Sequence, residues 1–253
     1  MKCIMCKMCE AVHAAVEKKL AAWLNAQMNT EEMWERETDQ SRAVRAYELL
    51  STDPVEGFKE CLTLAEQGSI WAMGSVGWAF SRGNGTPRDL AQAEKWYRRA
   101  FDGGSDYALL GLGHVYMQQR EYTKAEEVFR IGADRGWAPA MYRLAWTYSK
   151  SAAWPQKRGE ARVLLERASA AGDLSAGSFL ATAMMRGWFG WRRIPSGIRM
   201  KFKLADDLYE LVKDDDTLAV GRKGDRPVGL IRRLTGRLSL GIIGMPATPA
   251  HAD

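Results

Sequence analysis

Three cysteines and a histidine open the chain at a spacing that suits metal chemistry. Cys3, Cys6, Cys9 and His13 form the pattern Cys-x2-Cys-x2-Cys-x3-His. Thiolates this close bind zinc or anchor an iron–sulfur cluster. A straight helix would put Cys3 and His13 about 15 Å apart at roughly 1.5 Å per residue, too far for one tetrahedral ion. Metal binding therefore needs a non-helical start, and this stretch holds no Gly or Pro to build one. The other use of these residues is one weakly apolar helical stripe of Cys6, Cys9, His13, Val16, Leu20, Trp23 and Leu24. Both uses stay open, with the stripe preferred and no cofactor assigned. His114 is the one histidine of the middle of the chain. It has no His or Cys spaced as a second ligand and no Ser or Cys nucleophile motif beside it, so it reads as a contact residue and not a catalyst. Gly83, Asn84 and Gly85 lack the Lys-Ser/Thr end and the preceding strand of a phosphate loop. The expectation is a protein that is not an enzyme.

Composition narrows the class further. The 253 residues are 46% apolar, enough for a core. No run reaches the ~18 apolar residues of a spanning helix. Lys7, Glu10 and His13 interrupt the start where a secretory signal would need an apolar stretch. Four cysteines, three of them in the first nine residues, do not read as a disulfide framework, so a reducing, cytoplasmic setting is expected. Of the net charge of +5, residues 217–253 carry +4. The body is near neutral, and no nucleic-acid partner is expected.

The elements that would position any site are set by a repeat. Gly68, Gly104, Gly136 and Gly172 pace the middle of the chain. Four residues after each stands Ala72, Ala108, Ala140 or Ala176. Eight and nine after come Val76 and Gly77, Leu112 and Gly113, Leu144 and Ala145, Leu180 and Ala181. Twelve after stands Phe80, Tyr116, Tyr148 or Met184. A shared register at this period predicts a helical solenoid. Ala108, Leu112 and Tyr116, four apart, share one helix face. A second helix per unit is predicted over 89–101, 123–133, 158–171 and 204–212, with Asp89 as an N-cap. The pacing glycines fall just past these helices, where a left-handed C-cap wants Gly.

The run from Ala72 through Val76, Gly77, Phe80, Gly83, Asn84, Gly85, Pro87, Arg88, Asp89, Ala93, Trp96, Tyr97, Ala100 and Gly103 to Gly104 resembles a Sel1-like repeat. That repeat is a relative of the tetratricopeptide repeat with a glycine-containing inter-helix loop. The resemblance covers residues 69–214 and extends more weakly back to about 31. It implies an all-α, right-handed α/α superhelix that scaffolds other proteins. The organisation expected is an N-terminal helical segment with the cysteine cluster (1–30), a degenerate first repeat (31–68), and four repeats (69–104, 105–136, 137–172, 173–214). A basic tail follows (215–253). Three departures stand out. The second unit lacks the Gly-x-Gly loop and the third replaces it with Ser151, Ala152, Ala153, Trp154 and Pro155. The fourth carries an insertion with Trp188, Phe189, Trp191, Arg192, Arg193 and Pro195, expected to cap the array or to face a partner.

In tetratricopeptide-type arrays the first helix of each unit lines a concave groove. Carried over by position, the resemblance puts Trp78, Arg82, His114, Tyr142, Trp146, Lys150 and Arg186 in that groove, with Trp71 and Tyr107 one turn earlier. Trp78, Tyr142 and Trp146 are expected to be exposed anchors, and Arg82, Lys150 and Arg186 a basic row. The partner expected is a protein or peptide carrying carboxylates. One rival is a metal- or redox-linked regulator working through the N-terminal cysteines. The other is a membrane-surface adaptor. Its tail stretch 228–243 mixes Leu230, Ile231, Leu234 and Leu238 with Arg232, Arg233 and Arg237.

Overall fold

A computed structural model describes residues 34–212 apart from Thr38, and from residue 205 onward the backbone alone. These residues are helical and strand-free. Five antiparallel pairs follow one another: α1 (Gln40–Thr52) with α2 (Pro54–Glu66), α3 (Ile70–Arg82) with α4 (Leu90–Asp102), and α5 (Asp106–Gln118) with α6 (Tyr122–Asp134). Then come α7 (Ala138–Lys150) with α8 (Trp154–Ala170), and α9 (Leu174–Met185) with α10 (Ile194–Val212). Each helix packs on its chain neighbours. The first helices α3, α5, α7 and α9 also touch one another in series. That extra contact makes them the inner, concave row of the solenoid.

The pacing glycines make the turn from each second helix to the next first helix. Gly68, Gly104, Gly136 and Gly172 take φ of 101°, 97°, 87° and 93°, which a Cβ would strain. At Gly104 the glycine N–H donates to the Phe101 carbonyl (2.8 Å) and the Ser105 N–H to the Ala100 carbonyl (2.9 Å). This is the paired bond set of a Schellman end, and the other three turns repeat it. The following residue starts the next helix. Ser69, Ser105 and Asp173 accept from the N–H of Ala72, Ala108 and Ala176. Asp89 caps α4 as its sequence suggests, accepting from Ala91 and Gln92. In the second unit, without the Gly-x-Gly loop, Arg120 itself takes φ 63°.

Inner helices crowded on several sides need small residues where a ring crosses. Tyr97 of α4 is wedged between Gly77 of α3 and Gly111 of α5; a Cβ on Gly111 would stand 2.3 Å from the ring. Leu112 is 4% exposed, as its register predicts, and Cys61 lies in the core. The junctions between units are chemically distinct. Phe80 meets Phe58 edge-on at 5.2 Å. The Tyr116 hydroxyl donates to Glu94 (2.8 Å) and accepts from Arg98. The Tyr148 hydroxyl accepts from Arg130 (2.6 Å) and donates to Glu160 (2.8 Å), while Arg130 also holds Glu126 (2.9 Å). Met184 has no hydroxyl to join such a network, and the corresponding outer pair, Arg162 with Glu166, has its signs reversed.

The insertion of the fourth unit differs from expectation. It is not a long loop: a 3₁₀ turn (Trp191–Arg193) leads straight into α10, which starts at Ile194 and not near 204. Trp188 and Phe189 fold back onto Trp154, at 5.1 and 6.3 Å between ring centres. Trp191 alone of these rings stays open, at 74% exposure.

Two glycine substitutions should act with opposite sign. Gly113→Ala would place its Cβ 2.4 Å from the fully buried Phe129 ring and should destabilise by about 1–3 kcal/mol. Gly74→Ala, mid-helix with no atom within 4 Å of the added methyl, should stabilise by about 0.5–1 kcal/mol. Chemical denaturation of the two variants checks this; the same sign for both would show the helix register to be misplaced.

Candidate functional site

The inner row leaves few positions free. Counting from each pacing glycine, residues four, eight and nine along are packed into the core. The tenth residue of each unit, one step past the large–small pair, is not packed away. It is Trp78, His114, Trp146 and Thr182, the row expected to face the concave side, and all four are half-buried. The fourteenth is Arg82, Gln118, Lys150 and Arg186, at or just past the helix ends, with the three cations exposed. Trp78 and Trp146 rest on the core. Lys150 lies 5.8 Å over the Trp146 ring and Arg143 lies 6.0 Å from it.

One expected anchor, Tyr142, and one further expected groove residue, Trp71, are not open. Tyr142 is 3% exposed, because Phe179 of the next inner helix meets it edge-on at 6.2 Å. Trp71 is 2% exposed, held between Trp34 (6.2 Å) and Tyr47 (6.3 Å). The neighbouring units cover both rings. Tyr107 is intermediate: its side chain is half-buried and its hydroxyl fully enclosed. Cys3, Cys6, Cys9, His13 and the basic tail lie outside the described residues. Among the described residues no group of three or more His, Cys, Asp and Glu is placed to hold a metal.

Two arginines missed in the sequence join the face. Arg143 stands in a row where the other units have Ser75, Gly111 and Phe179, and it stacks 5.2 Å over Tyr142. A charge in a row of otherwise uncharged residues was the available signal. Arg88, from the loop after α3, donates to the Ser81 carbonyl (3.2 Å) and to the Gln118 side chain. Together they give the face its electrostatics. Burial first, and then the charges of Arg143, Arg82 and Arg88, push the His114 imidazole down to about 3, so it is neutral near pH 7. The inner helices hold one carboxylate, Asp106, at the start of α5 and 3.3 Å from Arg135. Most other acids sit on the outer helices or the caps and turns, many in the ion pairs at unit junctions. The face is cationic with aromatic steps.

No protein-family model matches the chain. A putative sel1-like repeat-containing protein, L21 of Acanthamoeba polyphaga mimivirus, is 27% identical over 86 residues, which is 34% of this chain and 16% of that protein. Among solved structures, the protective antigen c5321 of uropathogenic Escherichia coli, which displays an SLR fold, superposes with a TM-score of 0.52 at 20% identity. The match covers 82% of this chain and 48% of that one. A Sel1 repeat protein from Oxalobacter formigenes gives 0.52 at 15% identity, over 80% and 87% of the two chains. The chain thus spans under half of the antigen and a sixth of the viral protein. The architecture is an all-α solenoid of Sel1-like repeats.

One buried carboxyl lies beside this face. Asp173 caps α9, and burial raises its pKa to about 6 against the opposing pull of the Ala176 N–H and Arg143. The folded state therefore holds this proton more tightly than the unfolded chain. Its contribution to stability is full below about pH 4 and is lost as pH rises through 6. Asp173→Asn keeps a good cap without the charge. The variant should be more stable at pH 7.5, by up to about 3 kcal/mol, with the gap closing toward pH 4. Thermal melts across that range check it; a variant less stable at pH 7.5 would mean that the carboxylate is needed as an ion.

Proposed function

We propose that this protein is a non-enzymatic scaffold that binds an extended, carboxylate-bearing peptide or protein segment along its concave face. The observation that carries the reading is the inner row itself. Trp78, His114 and Trp146 recur at one register, flanked by Arg82, Arg143 and Lys150, with no carboxylate among them. Aromatic steps accept apolar side chains, and guanidinium and ammonium groups meet carboxylates. Half-buried rings backed by the core give anchors at low entropic cost. Solenoids of this kind work as extended surfaces, and the relatives' shared fold supports that use. Among the described residues no helix is long and apolar enough to cross a membrane.

Selection of peptides from a displayed library on the full chain tests the reading, and acidic sequences with interspersed apolar residues should be enriched. For a selected peptide, Trp146→Ala should cost about 2 kcal/mol or more of binding. Lys150→Glu should slow association, more so at low salt, and leave the melting temperature unchanged, since that side chain is exposed. Enrichment of basic peptides, or equal binding by both variants, would remove the concave face as the site.

A further inference from the structure

The last helix of the array has a bare apolar side. The outer helices α2, α4, α6 and α8 each pack between the inner helix before and the inner helix after. α10 packs on α9 and the 3₁₀ turn, and among the described residues no helix follows it. Gly197 marks its covered side, where a Cβ would stand 2.7 Å from the Met184 Cβ. The uncovered side is not polar. Ile198 is 42% and Phe202 66% exposed, and Pro195 is exposed with them. These positions step by three and four residues, so they form one stripe along the helix. Arg199 and Lys203, also exposed, border it. A solenoid leaves such a stripe where one more helix would stack, and its end needs a cover with a polar outer face.

The sequence beyond α10 carries a piece of that kind. Val228, Ile231, Leu234, Leu238 and Ile242 recur at steps of three and four, which makes one apolar stripe in a helix. Arg232, Arg233 and Arg237 fall outside it. Docked apolar side down, such a helix turns its arginines away from Arg199 and Lys203. Gly229, Gly236 and Gly241 make it a poor helix by itself, so its order depends on the surface it meets. Residues 213–227 separate it from the end of α10 and can span about 50 Å when extended. α10, at 19 residues, is only about 28 Å long, so the segment can return along any part of it. A tether of this length holds it near α10 at an effective concentration on the order of millimolar, which favours it over a second copy of the chain.

We propose that residues 228–243 dock back on the stripe of Pro195, Ile198 and Phe202 as a helix that caps the array, with Arg232, Arg233 and Arg237 left facing solvent. This goes beyond the peptide-groove reading and does not depend on it. Adsorption of the tail to an anionic membrane would use the same apolar side, so the two uses exclude each other.

Hydrogen exchange of the full chain, followed by peptide fragments, tests the cap. Amides of 230–242 should exchange about tenfold or more slower than in an unstructured chain of that sequence, and dilution of the protein should not change this. Ile198→Ser combined with Phe202→Ser, both at exposed positions, should abolish the protection and leave exchange in α5 as it was. Leu234→Ser combined with Leu238→Ser should do the same from the other side of the contact. Unprotected amides in the unchanged protein would overturn the proposal, as would protection that survives the change of Ile198 and Phe202. Protection that fades on dilution would assign the stripe to a second copy. Protection that arises only with phosphatidylserine vesicles would assign the tail to a membrane. Either result also overturns the cap.

Discussion

The close approach of the inner helices governs the rest of the molecule. α3, α5, α7 and α9 touch their own outer helix, the preceding outer helix and one another. Helices packed on so many sides cannot keep a polar face, and most of their residues are buried. They come this close only where a side chain is missing. Gly77 and Gly111 admit Tyr97, and Gly113 admits Phe129. What remains for recognition is a narrow band: the tenth residue of each unit and the helix ends. The open part of the inner face is therefore sparse because the packing beneath it is dense.

Charge is sorted by the same geometry. Inner helices have no room for the ion pairs that long side chains make, so most acids move to the outer helices and the turns. There they serve the junctions. Tyr116 with Glu94 and Arg98, and Tyr148 with Glu126, Arg130 and Glu160, are two copies of one polar clamp. Phe80 on Phe58 is its apolar counterpart, and Met184 meets neither. A further result of the sorting is a concave side that is almost purely cationic.

Much of this was legible in the sequence. The pacing glycines announced the turns, and the large–small pairs gave the core register, Leu112 included. Both signals are local: a left-handed φ and a close approach each demand a residue type at one position. Burial of Trp71 and Tyr142 was not legible, because it depends on how far one unit rotates over the next and on what that neighbour presents. Phe179 covers Tyr142, and no pattern within the third unit reports it. Arg143 escaped because its row, with Ser75, Gly111 and Phe179 in the other units, shares no side-chain type that would mark it as a position. The insertion looked like a loop since Gly187, Gly190 and Pro195 break helical periodicity, yet Pro195 sits in the first turn of α10, where its missing N–H costs nothing.

The central claim is that the concave inner row, and no other face, is the recognition surface. Indole N–H resonances of the ¹⁵N-labelled full chain report it directly, since tryptophans stand on different faces: Trp78 and Trp146 inside, Trp96 on outer helix α4, and Trp191 exposed at the turn before α10. Titration with capped hexaglutamate should move the Trp78 and Trp146 signals together along one binding curve and leave Trp96 and Trp191 in place. Shifts confined to Trp191, with Trp78 and Trp146 unmoved, would put recognition at the end of the array and contradict the account.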